Sequence, residues 1–275
     1  GVNGGVGWGG AFVASGIAAL VGWLIIVFFA PPRDTSRATR SQGALFDFRP
    51  ILRNRSAMAY ALAYCAHTWE MNALRGWVVA FLAYVLAATG DGSGWIGPTV
   101  VATTMGFIGT WASVAGNEVS IRLGRQRLVR LSMLSCAVLA AGIRFLGARS
   151  YPLAIVLLLV YGLLIWLDSS SLTAGAAGSA DPRRRGATLA VHSMAGYAGG
   201  FVGPVVIGSI LDLGGGMSPL SWGLAFLHIA VIGLIGRFAF VTLAPRDLVG
   251  DRARRWAQQD GRQRASCGAG RGVCV

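Results

Sequence analysis

Seven stretches of mostly apolar residues divide this chain, and each is close to the length that crosses a lipid bilayer. Residues 11–30 carry no charge over 20 positions, and about 20 apolar helical residues span a hydrocarbon core of roughly 30 Å. Only 13% of the residues are charged, against roughly a quarter in soluble domains. The sequence therefore predicts an all-α integral membrane protein, a helical bundle of seven transmembrane spans. The predicted spans cover residues 8–30, 57–88, 98–119, 131–146, 152–177, 187–213 and 222–243.

Arginine-rich and arginine-poor connections between these spans alternate strictly along the chain. The first, third and fifth connections and the C-terminal tail are rich in arginine, whereas the second and sixth contain none and the fourth contains only Arg149. Short arginine-rich connections stay in the cytoplasm. We therefore predict a multi-pass protein of the bacterial inner (plasma) membrane, with its N-terminus outside and its C-terminus in the cytoplasm. The same topology accounts for the net charge of +13 without a nucleic-acid partner.

A short basic connection follows the third span. It contains Arg122, Gly124 and Arg125, and Gly116 and Glu118 come shortly before them. This pattern resembles the short basic loop of the major facilitator superfamily, in which a glycine and an acid precede the arginines. Glu118 is expected to supply the acidic charge from one turn earlier.

Two further segments resemble the same family. Residues 181–186, Asp-Pro-Arg-Arg-Arg-Gly, lead into a span whose last part begins with Gly203-Pro204 and ends at Asp212. This is similar to the family's tenth-to-eleventh segment. Residues 8–12, Trp-Gly-Gly-Ala-Phe, are similar to the entry of its sixth helix.

The resemblance implies a division of the chain into four parts. Residues 1–30 would be the last helix of a truncated N-terminal half, and residues 31–56 a cytoplasmic inter-domain loop. Residues 57–245 would form the C-terminal six-helix domain, and residues 246–275 a basic cytoplasmic tail. The chain then corresponds to the family's sixth helix plus helices seven to twelve. The implied function is secondary active transport of a small solute by alternating access. The resemblance implies that this transport needs the missing N-terminal half, and that the protein has neither an enzymatic activity nor a cofactor.

Ionisable residues inside a span are costly and commonly mark a pathway. Glu70 lies about 13 residues into the second span, close to the bilayer midplane at 1.5 Å per residue. His67 is one turn earlier on nearly the same face, and Trp69 and Arg75 complete the cluster. A carboxyl group beside an imidazole can load and release a proton near neutral pH, which a proton-coupled carrier needs. The alternative is a polar network that only fixes helix packing.

Two other spans carry polar or small residues that could be functional. Asp168 and Ser169 open a polar segment in the fifth span, where the resemblance implies substrate contact. Hydrogen bonding between helices, or pairing of Asp168 with an arginine, is the alternative. In the sixth span Gly199 and Gly203 precede Pro204 and allow another helix to approach closely. The resemblance adds a gating role for this helix.

Other classes of protein share features of this sequence. A heptahelical receptor or sensor has the same number of spans, and an inactive transporter fragment is a further alternative. A retinal protein is excluded because the chain has no lysine for a Schiff base. The spans contain no HExxH or similar constellation, so we predict neither a membrane-embedded enzyme nor a metal site.

Overall fold

The computed structural model describes residues 8–31, 47–90, 96–246 and 248, and these residues are almost entirely helical. The predicted all-α fold is confirmed, because the described part of the chain contains no β-strand. In the described part of the chain one 3-10 turn, Pro182–Arg184, precedes the helix that begins at Arg185. The α-helices are α1 (Trp8–Phe29), α2 (Arg49–Leu52), α3 (Arg55–Thr89), α4 (Pro98–Leu123), α5 (Arg125–Leu146), α6 (Tyr151–Trp166), α7 (Ser169–Ser179), α8 (Arg185–Leu213) and α9 (Pro219–Leu243).

Most of these helices can cross a membrane. Within the described residues six segments are both long and apolar enough: Gly9–Phe29, Arg55–Thr89, Arg125–Leu146, Tyr151–Ser179, Pro182–Leu213 and Pro219–Leu243. The predicted third span is α4, whose 26 residues extend about 39 Å. Its most apolar stretch is less apolar than those of the six segments above, because threonine, glycine and serine interrupt its hydrophobic residues. It packs against α3, α6 and α7, so it belongs to the bundle.

The chain separates into two compact units, residues 1–40 and residues 41–275. In the first unit α1 is apolar on every face, as expected for a helix surrounded by lipid or other apolar helices. In the second unit α3 is the central helix and contacts α4, α6, α7, α8 and α9. Much of the predicted inter-domain loop (residues 32–46) and nearly all of the predicted tail lie outside the described residues.

Small residues bring the helices of the second unit together. On α3, Ala59, Ala63 and Ala73 are completely buried. Such residues let helix backbones approach closely, which matters in a bilayer because lipid removes most of the hydrophobic drive between helices. Large apolar side chains point outward instead: Phe107 is 75% exposed and Phe201 is 74% exposed. That distribution would promote aggregation in water and suits a surface covered by lipid.

Several hydrogen bonds gather the arginine-bearing helix ends on one face of the bundle. Asn54, at the start of α3, donates from Nδ2 to the carbonyl of Ser179 at the end of α7, over 2.8 Å. Gln126, at the start of α5, donates from Nε2 to the carbonyl of Pro245 beyond α9, over 2.7 Å. We call this surface the arginine-bearing face. At the opposite end the Tyr151 hydroxyl, on α6, donates to the carbonyl of Ile96 before α4.

The predicted fifth span is not one continuous helix. It divides into α6 and α7, with Leu167 and Asp168 in a turn between them. Asp168 and the three serines after it compete for backbone hydrogen bonds and are weak helix formers, which explains a break at this point. The break places an acidic residue and freed backbone groups inside the bundle.

Candidate functional site

Three ionisable side chains meet in the interior of the second unit. Glu70 and His67 lie on α3, one turn apart, with 2% and 3% of their surface exposed. Asp168 lies at the break between α6 and α7 and is 2% exposed. Sequence spacing predicted the first two as neighbours, and the fold adds the third.

The contacts among these groups are specific. His67 Nδ1 lies 3.1 Å from Asp168 Oδ1, at ion-pair distance but without hydrogen-bond alignment. The hydroxyl of Tyr161, on α6, donates a hydrogen bond to Glu70 Oε1. We call His67, Glu70, Tyr161 and Asp168 the acid–histidine cluster. Burying its groups in charged form is costly unless charges pair or protons neutralise them, so the cluster is a place where a proton can reside.

The break in the predicted fifth span is supported by its neighbours. The Ser132 hydroxyl, on α5, donates over 2.8 Å to the carbonyl of Leu164, which lies in the last turn of α6. On α4, a Cβ added at Gly116 would overlap the carbonyl oxygen of Leu167. Gly116 therefore lets α4 pass close to the break. Irregular backbone at membrane depth is tolerated where it is buried in protein, and α4 and α5 pack against this break.

Aromatic rings extend from the cluster toward α8. Tyr64 stacks on His67 with ring centroids 5.9 Å apart, and on His192 of α8 with centroids 4.1 Å apart. On its other side, His192 Nε2 lies 3.5 Å from the hydroxyl of Thr173 on α7. Two of the chain's three histidines are thus joined through one tyrosine ring.

A groove of about 390 Å³ opens beside Tyr64, between α3 and α8. The described residues of its lining offer hydroxyl, amide and aromatic groups and include no charged side chain: Tyr64, Thr68, Met71, Asn72, Ser193, Gly196, Tyr197, Gly200 and Phe201. Among the described residues no group of three or more His, Cys, Asp or Glu side chains is arranged to hold a metal ion.

Three predicted pathway residues lie apart from the cluster. Trp69 faces α9, where its Nε1–H donates to His228 Nε2 over 2.9 Å. Arg75 is exposed, and its guanidinium carbon lies 5.9 Å from the ring centroid of Trp166 on α6. Ser169, the first residue of α7, is half-buried. The structure thus pairs His67 with Asp168, pairs Glu70 with Tyr161, and leaves Arg75 at the surface.

The residues of the short basic connection after the third span, which resembles the family's basic loop, lie at the arginine-bearing face. Glu118 and Arg122 form an exposed ion pair of 3.0 Å within α4, one turn apart. Gly124 has φ of +86°, a conformation that favours glycine, and it allows the tight turn from α4 into α5. Arg125, the first residue of α5, is half-buried.

The glycines of α8 face α3 at close range. A Cβ added at Gly199 would overlap the carbonyl oxygen of Cys65, and one added at Gly203 would overlap that of Trp69. One residue further along α8, the carbonyl of Pro204 accepts a hydrogen bond from Trp77 Nε1 over 2.9 Å. The glycines therefore set the distance between these two helices.

Sequence reasoning missed two residues of this site. Tyr161 and Tyr64 lie within apolar spans, where a buried hydroxyl or polar ring needs a partner. That requirement is a usable signal, but it does not say which helix provides the partner.

Comparison with known proteins agrees with the helical architecture. The family model for the Major Facilitator Superfamily matches residues 2–204, which is well over half of the chain. No curated protein matches the chain. Members of this superfamily are transporters that bind small solutes and lie in the lipid bilayer, and they are generally not enzymes. The chain belongs to the Major Facilitator Superfamily and is a multi-pass integral membrane transporter.

Proposed function

We propose that the protein is a secondary active transporter that moves a small solute by alternating access and couples this movement to a proton. The observation that carries the proposal is the burial of two carboxyl groups and one imidazole in one cluster, where His67 lies at ion-pair distance from Asp168 and one helical turn from Glu70. Charged groups are rare at this depth in a bilayer and usually belong to ion or proton pathways. Among the residues that the structure describes, no arginine forms an ion pair with Glu70 or Asp168, and Arg75 is exposed.

The second unit supplies what one half of such a transporter requires. Helices α3 to α9 would form that half, and α1 would belong with a second half. The glycine face of α8 packs closely on α3, and the groove beside Tyr64 offers hydroxyl and amide groups to a solute. We propose that the arginine-bearing face lies on the cytoplasmic side of a bacterial inner membrane, as the positive-inside rule predicts.

The proposal is tested in proteoliposomes that contain a pH-sensitive dye, with the chain reconstituted together with the second half that the proposal requires. A panel of amino acids, sugars, organic anions and organic cations is added in turn, and proton movement is recorded. At least one class is expected to cause proton movement in the wild type. Glu70→Gln, which cannot release a proton at this site, is expected to abolish it.

Asp212→Asn is the matched control, because Asp212 is an exposed carboxylate at the end of α8. It is expected to behave like the wild type. Solute-dependent proton movement that continues unchanged in Glu70→Gln would contradict coupling through the acid–histidine cluster.

A further inference from the structure

A polar cavity of about 700 Å³ opens at the arginine-bearing face, away from the acid–histidine cluster. It lies where α3 begins and where α7 and α9 end. Among the described residues the lining includes three arginines and no acidic side chain: Arg53, Asn54, Arg55, Ser56, Gly178, Ser179, Leu243, Ala244, Arg246 and Leu248. We call this cavity the basic pocket.

Two of the three arginines are available to a ligand. Arg55 donates from a terminal guanidinium nitrogen to the carbonyl of Thr242 near the end of α9, over 3.2 Å. Arg53 and Arg246 are exposed and form no ion pair with any residue that the structure describes. The described residues of the pocket therefore carry positive charge that no described acid pairs with.

The backbone around Arg246 is fixed rather than loose. Ala244 adopts a left-handed conformation with φ of +44°, which turns the chain sharply after α9. The next residues then lie over the start of α3, where the Arg246 N–H donates to the hydroxyl of Ser56 over 2.9 Å. The side chain of Gln126, at the start of α5, donates a hydrogen bond to the carbonyl of Pro245, the residue before Arg246. The position from which the Arg246 side chain extends is thus set before any ligand binds.

The remaining polar groups of the basic pocket favour an acceptor-rich ligand. The carbonyls of Ser179 and Thr242, which would repel an anion, are already occupied by Asn54 and Arg55. The Ser179 hydroxyl is buried and has no hydrogen-bond partner in the described part of the chain. The planar guanidinium group of arginine can donate two parallel hydrogen bonds to phosphate oxygens, and a hydroxyl can donate a further one.

We propose that the basic pocket binds a phosphate group through Arg53, Arg246 and the Ser179 hydroxyl. The phosphate can belong to the headgroup of an anionic phospholipid or to a soluble phosphate compound. Basic pockets between helices at the cytoplasmic surface are suited to anionic headgroups. Leu243 and Leu248 supply an apolar wall beside the arginines, which suits the glycerol backbone and first acyl carbons of a lipid.

The test is native mass spectrometry of the purified full chain with phosphatidylglycerol, repeated with inorganic phosphate in excess. The double variant Arg53→Gln/Arg246→Gln is expected to bind phosphatidylglycerol about tenfold or more weakly, since charge-assisted hydrogen bonds are lost. The matched control is Arg127→Gln/Arg185→Gln. It removes the same charge from exposed positions outside the pocket and is expected to bind like the wild type.

The outcomes separate the two sources of phosphate. If phosphatidylglycerol stays bound to the pocket in excess inorganic phosphate, the lipid headgroup is the ligand. If inorganic phosphate displaces phosphatidylglycerol, the ligand is a soluble phosphate compound. Equal binding by the two double variants overturns the proposal, because the arginines would then act only as diffuse surface charge. If the pocket double variant does not fold, Arg246→Gln alone is used, because it keeps the backbone hydrogen bond to Ser56.

Discussion

Glu70 is held by a tyrosine hydroxyl rather than by a permanent positive charge. Tyr161 donates to its carboxylate from α6, while His67 on the same helix turns toward Asp168. A neutral donor stabilises the carboxylate without fixing its charge, so a proton can still compete for it. This is the arrangement that a residue needs if it is to be charged in one transport step and neutral in another.

Tyr161→Phe is expected to destabilise the fold by about 1–3 kcal/mol, because it leaves the buried Glu70 carboxylate without this donor. The free energy of unfolding in detergent, measured by denaturant titration, checks this. Tyr197→Phe is the control, since Tyr197 is 80% exposed and its hydroxyl is expected to matter little. Equal stability of both variants would show that the hydroxyl does not support the carboxylate.

Neighbours on a single helix could be predicted from the sequence, whereas contacts between helices could not. His67 precedes Glu70 by three residues, so helical spacing alone places them one turn apart. Arg75 follows Glu70 by five residues, which is about 140° round the helix, and it lies on another face. The position of Asp168 beside His67 depends on how α6 and α7 pack against α3, and spacing along the chain carries no such information.

Among the elements, the contact between α3 and α8 depends most on small residues. Gly199 sits where any side chain would strike the backbone of α3 at Cys65, and backbone cannot move aside as a flexible side chain can. Beside it the Thr68 hydroxyl donates to the carbonyl of Gly196 over 2.7 Å, a bond that requires the same close approach.

Gly199→Ala is expected to lower the free energy of unfolding by about 1–3 kcal/mol through overpacking of this contact. Thermal unfolding in detergent measures the change. Gly106→Ala in α4 is the matched control, because a Cβ there meets open space. We expect that variant to be as stable as the wild type or slightly more so. If the two substitutions have the same effect, α3 and α8 are not in close contact.

The helices could be located from apolar blocks, but the break between α6 and α7 could not. The block over residues 152–177 is apolar enough to predict one helix, and the serines after Asp168 indicate only weak helix formers. What makes the break possible is the Ser132 hydroxyl from α5 and the space left by Gly116 of α4. Those partners are distant in sequence, so only the assembled bundle shows them.

For the whole molecule, the arginine pattern leads to a prediction of orientation. We expect the arginine-bearing face to be cytoplasmic. In a background without the four native cysteines, Arg127→Cys should react with an impermeant thiol reagent only from the cytoplasmic side. Met217→Cys, between α8 and α9 and 52% exposed, should react only from outside. The reverse pattern would invert the proposed topology.

The central claim is that the acid–histidine cluster exchanges a proton within the intact bundle. Infrared difference spectroscopy of the lipid-reconstituted chain after a pH step measures this directly, through the carbonyl stretch of a protonated carboxyl group. We predict a pH-dependent carboxyl signal that Asp212→Asn retains and Glu70→Gln removes. Identical difference spectra for the wild type and Glu70→Gln would contradict the account.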